Sequence, residues 1–345
     1  MSKRAFFIGN VVIFAIIYSN SGAAGGAIEP NVAAGVKLGP QLSFAFAGGE
    51  KGREILGAPD QFLRALSPVD RSARLKTAKA VPEEDFVIFV KKNVTEWQPA
   101  EVDRLTRITA GVKAAAAPYK ISYPETIWFI KTTGIEEGRA CYTRANAIIL
   151  PRNEANLPEP ELTRRVYHEL FHVISRYNPS LRARLYRVLG FEICPEIVLP
   201  EDLSNRRITN PDSPVYDSVT TVRWQGAETT VTPVLLASRD CYNERRGGEF
   251  FEYLMCRLLV VEKEGARFKA KLSGGAPVLL DINQVPEFRQ RMCRNTHQCF
   301  IFQPEEIIAD NFLMLLNPGE RVSERPLLEK IRTILSPDGS GKEAK

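Results

Sequence analysis

Two of the three histidines in this chain, His168 and His172, stand four positions apart with Glu169 beside the first. Their setting is helical. Leu162, Val166, Leu170, Val173 and Tyr177 recur at steps of three and four, the spacing of one apolar helix face. Pro158, Glu159 and Glu161 stand where the first turn tolerates proline and the helix dipole favours acids, and Pro179 marks the end. On such a helix, residues four apart share a face one turn apart. Any fold for this chain must therefore bury one side of the helix and leave room for what the two imidazoles face.

Two neutral imidazoles so placed can bind one zinc ion. Glu169 projects about 100° round the helix from His168, so it can stand beside a metal-activated water without being a ligand. With three His in the chain, an accidental HExxH is expected on the order of once in a thousand such sequences. A catalytic zinc takes three protein ligands and keeps one position open, so a third ligand is required. The metzincin extension would put Gly at 175 and His at 178. Ser175 and Asn178 stand there instead.

HELFH together with Glu306-Ile-Ile-Ala-Asp310 resembles the gluzincin class of zinc metallopeptidases, as in thermolysin-like enzymes. PEEIIADNF is also similar to the second-helix segment of the lethal-factor group. The chain further resembles a set of exported bacterial proteins of undefined activity that carry HELFH, an RRITNP-like turn, a GGxFFxYL helix and PEEIxADNF. Residues 206–211, 247–254 and 304–312 stand for these pieces. That group has His just before PEE, where Gln303 stands here. The resemblance implies Glu306 as third zinc ligand and Asp310 as acceptor of a ligating imidazole's free N–H. Glu305 is the fallback in the same turn. Glu192 is a rival 20 residues after His172, but Pro195 would break the helix it needs. His297 and Tyr253 are candidates for proton or oxyanion donor.

Lys3 and Arg4, then an apolar run of about 14 residues and small residues at 21–24, read as a signal peptide over residues 1–24. The run falls short of the roughly 20 residues of a spanning helix. The expected location is therefore secreted or periplasmic, with no stable membrane insertion after cleavage. Residues 25–80, rich in Gly and Ala in their first part, read as a lead-in or linker. Residues 81–178 read as an N-terminal lobe with strands at 86–92, 126–132 and 145–150 and a helix at 99–117. Residues 179–336 read as a C-terminal lobe with helices at 181–189, 249–262 and 304–316, and hairpins at 219–236 and 268–282. Residues 337–345 read as a polar tail.

The composition, 44% hydrophobic and 25% charged with net charge +5, is that of a globular chain and does not point to nucleic acid. Six Cys are too few for a disulfide framework, and Cys293 and Cys299 can clip one short loop. Arg164, Arg165, Arg176, Arg182, Arg184 and Arg187 crowd the motif and offer a surface for acidic ligands. The expected fold is α+β and zincin-like, a mixed sheet with an edge strand before the HExxH helix and a second, largely helical lobe with β-hairpins. An edge strand at 145–150 would let an extended peptide add to it. The expected activity is zinc-dependent hydrolysis of a peptide or protein substrate with Glu169 as general base. The alternative is a non-catalytic zinc-containing envelope or binding protein on the same frame.

Overall fold

A computed structural model describes residues 33–39, 42–296 and 299–337. The segment expected to be a signal peptide, His297 and most of the expected polar tail lie outside the described residues. The described residues form one compact unit. Its architecture is α+β, with a mixed sheet and an antiparallel sheet sharing one core. Among the described residues no helix is long and apolar enough to cross a membrane.

The first sheet contains β1 (Ala33–Gly39), β2 (Leu42–Ala47), β3 (Val94–Thr95), β4 (Thr126–Thr132), β5 (Tyr142–Arg144) and β6 (Ala147–Pro151). Its order is β1-β2-β4-β6-β5, with β3 beside β4. The β2/β4 and β4/β6 pairs are parallel and the others antiparallel. Both faces are covered. Phe44, Phe46, Phe129, Ile148 and Leu150 enter the main core, while Ala47, Ile130, Ala147 and Ile149 enter a second. Covering of both faces matches the unbroken apolar runs at 127–130 in β4 and 147–150 in β6.

The helices of this half are α1 (Gly49–Gly57), α2 (Gln61–Ala65), α3 (Pro68–Arg74), α4 (Glu83–Asn93), α5 (Pro99–Ala116), α6 (Arg152–Ala155) and α7 (Glu159–Tyr177). Three expectations are corrected here. Residues 86–92 are helix α4, not a strand. Glu83, Glu84 and Asp85 in its first turn and Lys91 and Lys92 in its last match the helix dipole, and Phe86 and Val90 bury one face at a spacing of four. Residues 42–80 are no linker, since β2 and α1–α3 place Phe44, Leu56 and Phe62 in the cores. The strand before α7, β6, is internal, and the short antiparallel β5 is the edge.

The second half begins with α8 (Pro179–Val188), β7 (Phe191–Ile193) and α9 (Glu201–Ser204). An antiparallel sheet ordered β11-β10-β9-β8-β7 follows, built with β8 (Ser218–Trp224), β9 (Ala227–Ala237), β10 (Leu254–Glu264) and β11 (Arg267–Ala270). A small hairpin of β12 (Leu272–Ser273) and β13 (Ala276–Pro277) leads to β14 (Leu279–Leu280), which also pairs with β10. The chain ends in α10 (Pro286–Met292), α11 (Pro304–Leu316) and α12 (Arg325–Leu335). The expected helix at 249–262 is instead a 3-10 turn, Phe250–Tyr253, running into β10. Leu258 and Val260 face the main core, Leu259 and Val261 the opposite one, so apolar residues occupy both faces and hide the period of two. This half is thus built on a sheet as much as on helices. A disulfide joins Cys293 and Cys299.

A buried ion network ties the two halves. Arg74 pairs with Asp70, donates from Nε and Nη2 to the two oxygens of Glu137 at 2.9 and 2.7 Å, and donates to Thr209 O at 2.9 Å. Asp70 also accepts from Thr209 N at 2.7 Å. Replacing Arg74 by Met leaves two carboxylates buried without their cation. Urea denaturation should show a loss of about 3–5 kcal/mol. A loss under about 1 kcal/mol would mean the network does not hold the 206–213 loop.

Candidate metal centre

Helix α7 carries the paired histidines on its buried side. Glu169, His172 and Ser175 are buried there beside the apolar stripe, with His168 partly open; Tyr177, at the end of the expected stripe, is exposed. Helix α11 starts at Pro304, and its first turn presents Glu305 and Glu306. It is apolar on nearly every side and packs on α7, with Phe171 against Phe312 at 5.5 Å between ring centroids. That packing sets the acids of one helix opposite the imidazoles of the other.

Each imidazole is gripped by its Nδ1. His168 Nδ1 donates to Asp310 Oδ1 at 3.0 Å, and His172 Nδ1 donates to Glu305 Oε1 at 3.1 Å. Carboxylates only accept, so each Nδ1 carries a proton, and each Nε2 is turned elsewhere. They turn toward one oxygen, with Glu306 Oε2 3.3 Å from His168 Nε2 and 3.8 Å from His172 Nε2. Metal bonds of about 2.1 Å at tetrahedral angles separate ligand atoms by about 3.4 Å. His172 Nε2 and Glu169 Oε2 are buried without a hydrogen-bond partner, which a buried polar atom tolerates only at a cost. The three residues His168, His172 and Glu306 can hold a metal ion, and so can the group Glu169, His172 and Asp212. The donor set and its orphaned atoms thus fit a divalent cation.

The gripping carboxylates are themselves held. Glu305 Oε2 accepts from Ser175 Oγ at 2.8 Å and Tyr186 OH at 2.7 Å, with Arg182 Nε at 3.7 Å. Asp310 Oδ2 accepts from Thr296 Oγ1 at 2.5 Å. Asn210 donates to Glu306 Oε1 at 2.7 Å and to Gln303 Oε1 at 2.9 Å, while Gln303 donates to Ser213 O.

Burial would lower the His172 imidazolium, but the charges of Asp212 and Glu306 and the bond to Glu305 lift it to about 9. His168 rises well above its ordinary value, because the bonds to Asp310 and Glu306 outweigh burial. Burial would raise Glu306, yet the His172 charge and the His168 bond hold it at about 2. Glu169 is pushed up to about 8 by burial and then by the Asp212 carboxylate. Without a cation the centre therefore keeps protons on its imidazoles at neutral pH.

Of the residues picked from sequence, His168, Glu169, His172, Glu306 and Asp310 converge. Glu305 is close by as the partner of His172 rather than a substitute ligand. Glu192 is exposed on β7, at the edge of the second sheet. Tyr253 is no donor here. Its hydroxyl donates to Asn243 O and Gly247 O within its own loop, and its ring packs on Tyr242. The arginine cluster is largely spent on structure. Arg164 pairs with Glu320, Arg165 with Glu154 and Arg182 with Asp217, while Arg184 donates to Ile334 O and Arg176 to Ala145 O. Sequence reasoning missed Asn210, Asp212, Ser175, Tyr186 and Thr296. Only Asn210 carried a signal, by its place in the 206–211 segment. Comparison with family models, curated proteins and solved structures gives no match.

Two outcomes test the centre. Because His172 titrates near 9, a cation must displace its proton below that pH. Affinity should then rise about tenfold per pH unit for each imidazole proton released, from pH 6 to 9. A chelator-competition titration reads this, and a flat profile refutes it. Glu305→Gln should weaken metal binding about 10–100-fold, with Glu192→Gln unchanged.

Proposed function

We propose that this chain is an exported zinc-dependent hydrolase of peptide bonds. One observation carries the reading. Two imidazoles one helical turn apart each give Nδ1 to a carboxylate and turn Nε2 toward a third, with an unpartnered buried carboxylate oxygen beside them. A set of two His and one Glu is the ligand set of catalytic rather than structural zinc. The HELFH and PEEIIADNF segments lend the peptide class.

His168, His172 and Glu306 would hold the ion, and Asp310 and Glu305 keep both rings from rotating. Bound zinc supplies a Lewis acid that brings the pKa of water toward 7. Glu169 takes the proton of the attacking water at its unpartnered Oε2 and returns it to the leaving amine. Burial raises its carboxyl above the ordinary carboxylate range, and the charge of a bound cation would bring it back toward the ionised form that accepts a proton. Asn210 keeps Glu306 turned so that Oε2 rather than Oε1 faces the rings. A second reading, a zinc-holding protein without turnover, is favoured by a further carboxylate, Asp212, at the same group.

Glu169→Gln should retain one equivalent of zinc and lose turnover of a fluorogenic peptide library by about 10²–10⁴-fold. A chelator should abolish the parent's turnover. Equal cleavage by parent and variant would remove Glu169 as the base.

A further inference from the structure

Asp212 lies on the loop after α9 that also carries Asn210, and nothing in its own neighbourhood in sequence marks it. Its position is built. Oδ1 accepts from Thr143 N at 2.7 Å and Thr143 Oγ1 at 2.6 Å. The loop backbone is held from α7 by Arg176, which donates to Pro211 O and Asp212 O at 3.3 and 3.5 Å. Asn210 Oδ1 accepts from Asp212 N at 3.0 Å. Among the described residues no hydrogen bond ends on Oδ2. A carboxylate oxygen of Asp212 lies within 4.8 Å of ligand atoms of Glu169 and His172. Both of those residues are at least nine-tenths buried and turn an unpartnered atom into the same space.

The two candidate groups cannot each hold an ion. Both need His172, whose Nδ1 is committed to Glu305, and the single lone pair of Nε2 serves one cation. Asp212 is grouped with His172 and Glu169 and not with His168 and Glu306, so it would reach an ion held by His168, His172 and Glu306 from the His172 side, as an addition to that set and not as a second site. We propose that Asp212 is a fourth metal-directed residue, a carboxylate latch that fills the open coordination position in the resting protein. The proposal rests on the metal reading above and deepens it.

The same residue covers the sheet edge. Thr143 is the middle residue of the edge strand β5, and its N–H is directed at Asp212 instead of β6. Next to it, Ala145 O accepts from Arg176 Nη1 at 2.9 Å. An extended peptide adding to β5 needs the Thr143 N–H for one of its own carbonyls. Peptide and Asp212 compete for one donor. Pairing of a peptide along β5 withdraws the anchor of Oδ1, lets the loop move, and frees the coordination position. Substrate binding and opening of the centre are one event, and a ligand too short to pair with β5 meets a closed set.

The test uses the full chain loaded with Zn²⁺ or Co²⁺ alone. Asp212→Asn keeps an oxygen that can accept from Thr143 and removes the anionic ligand. Thr143→Val removes one anchor bond and keeps the carboxylate. Asp212→Ser gives the same comparison as the Asn variant if the latter does not fold, as judged by metal-free thermal melting. Asp212→Asn should bind Zn²⁺ on the order of 10²-fold more weakly. It should also change the visible Co²⁺ spectrum and bind acetohydroxamate at least about tenfold more tightly, since no latch competes. Thr143→Val should keep the parent's Zn²⁺ affinity. If Asp212→Asn matches the parent in Zn²⁺ affinity, Co²⁺ spectrum and hydroxamate affinity, Asp212 only pins the loop and the latch is refuted. If His168→Ala and His172→Ala also bind Zn²⁺ like the parent, the failure lies with the metal centre itself.

Discussion

Two carboxylates on one helix hold two imidazoles on another, and most of what is distinctive in this molecule follows from that pair of bonds. Asp310 grips His168 and Glu305 grips His172. Each bond fixes a ring's tautomer and its rotation, so the free nitrogens point to one place without a ligand to gather them. The cost is the burial of three acids and two imidazoles in a small volume. It is met by mutual attraction and by hydrogen bonds to nearly every remaining oxygen, from Ser175, Tyr186, Thr296 and Asn210. The atoms left out of this satisfaction, His172 Nε2 and Glu169 Oε2, are those that face the centre.

The packing that makes these bonds possible is apolar. Helix α11 buries its Ile307, Ile308, Phe312 and Leu315 on all sides, so it has no freedom to slide or turn about its axis. A one-residue rotation would swap Glu305 and Glu306 and break both grips. The loop that carries Asn210 and Asp212 is positioned from the other direction by Arg74 and Asp70, through Thr209. The centre is thus assembled from a helix pair and a loop, each fixed by a different part of the core. The edge strand β5 lies against the loop through Thr143, and Arg176 of α7 donates both to Ala145 O beyond the strand and to the loop backbone at Pro211 O.

Much of the helical part was legible. The α5, α7 and α11 segments carry proline at the first turn, acids behind it and apolar residues at steps of three and four, and the structure has helices at those places. Segments dense in apolar residues were not legible, whether buried on both faces, as β10 is, or on one, as α4 is. In 86–92 and 249–262 the apolar residues are too dense for either period to stand out, and each was read in the wrong state. The dipole-matched charges at the ends of α4 were the better guide for 86–92. The Gly- and Ala-rich stretch before residue 60 misled for a different reason. Small residues there allow close packing of β2 and α1 on the core, where composition suggests a loose chain. Gly52, for example, lies where an added Cβ would meet Val94 and Ile130.

By itself the sequence determined the turn of helix that bears His168, Glu169 and His172, because a spacing of four on an apolar-striped helix leaves one geometry. It also marked Glu306 and Asp310 as a pair on one face of another helix. It did not determine which acid serves which imidazole, nor that Asn210 and Asp212 would reach the same place from about 40 residues beyond the motif. Those assignments depend on the rotation of α11 against α7 and on a loop pinned by Arg74 and Arg176. Such contacts come from packing between distant segments, and no local spacing encodes them.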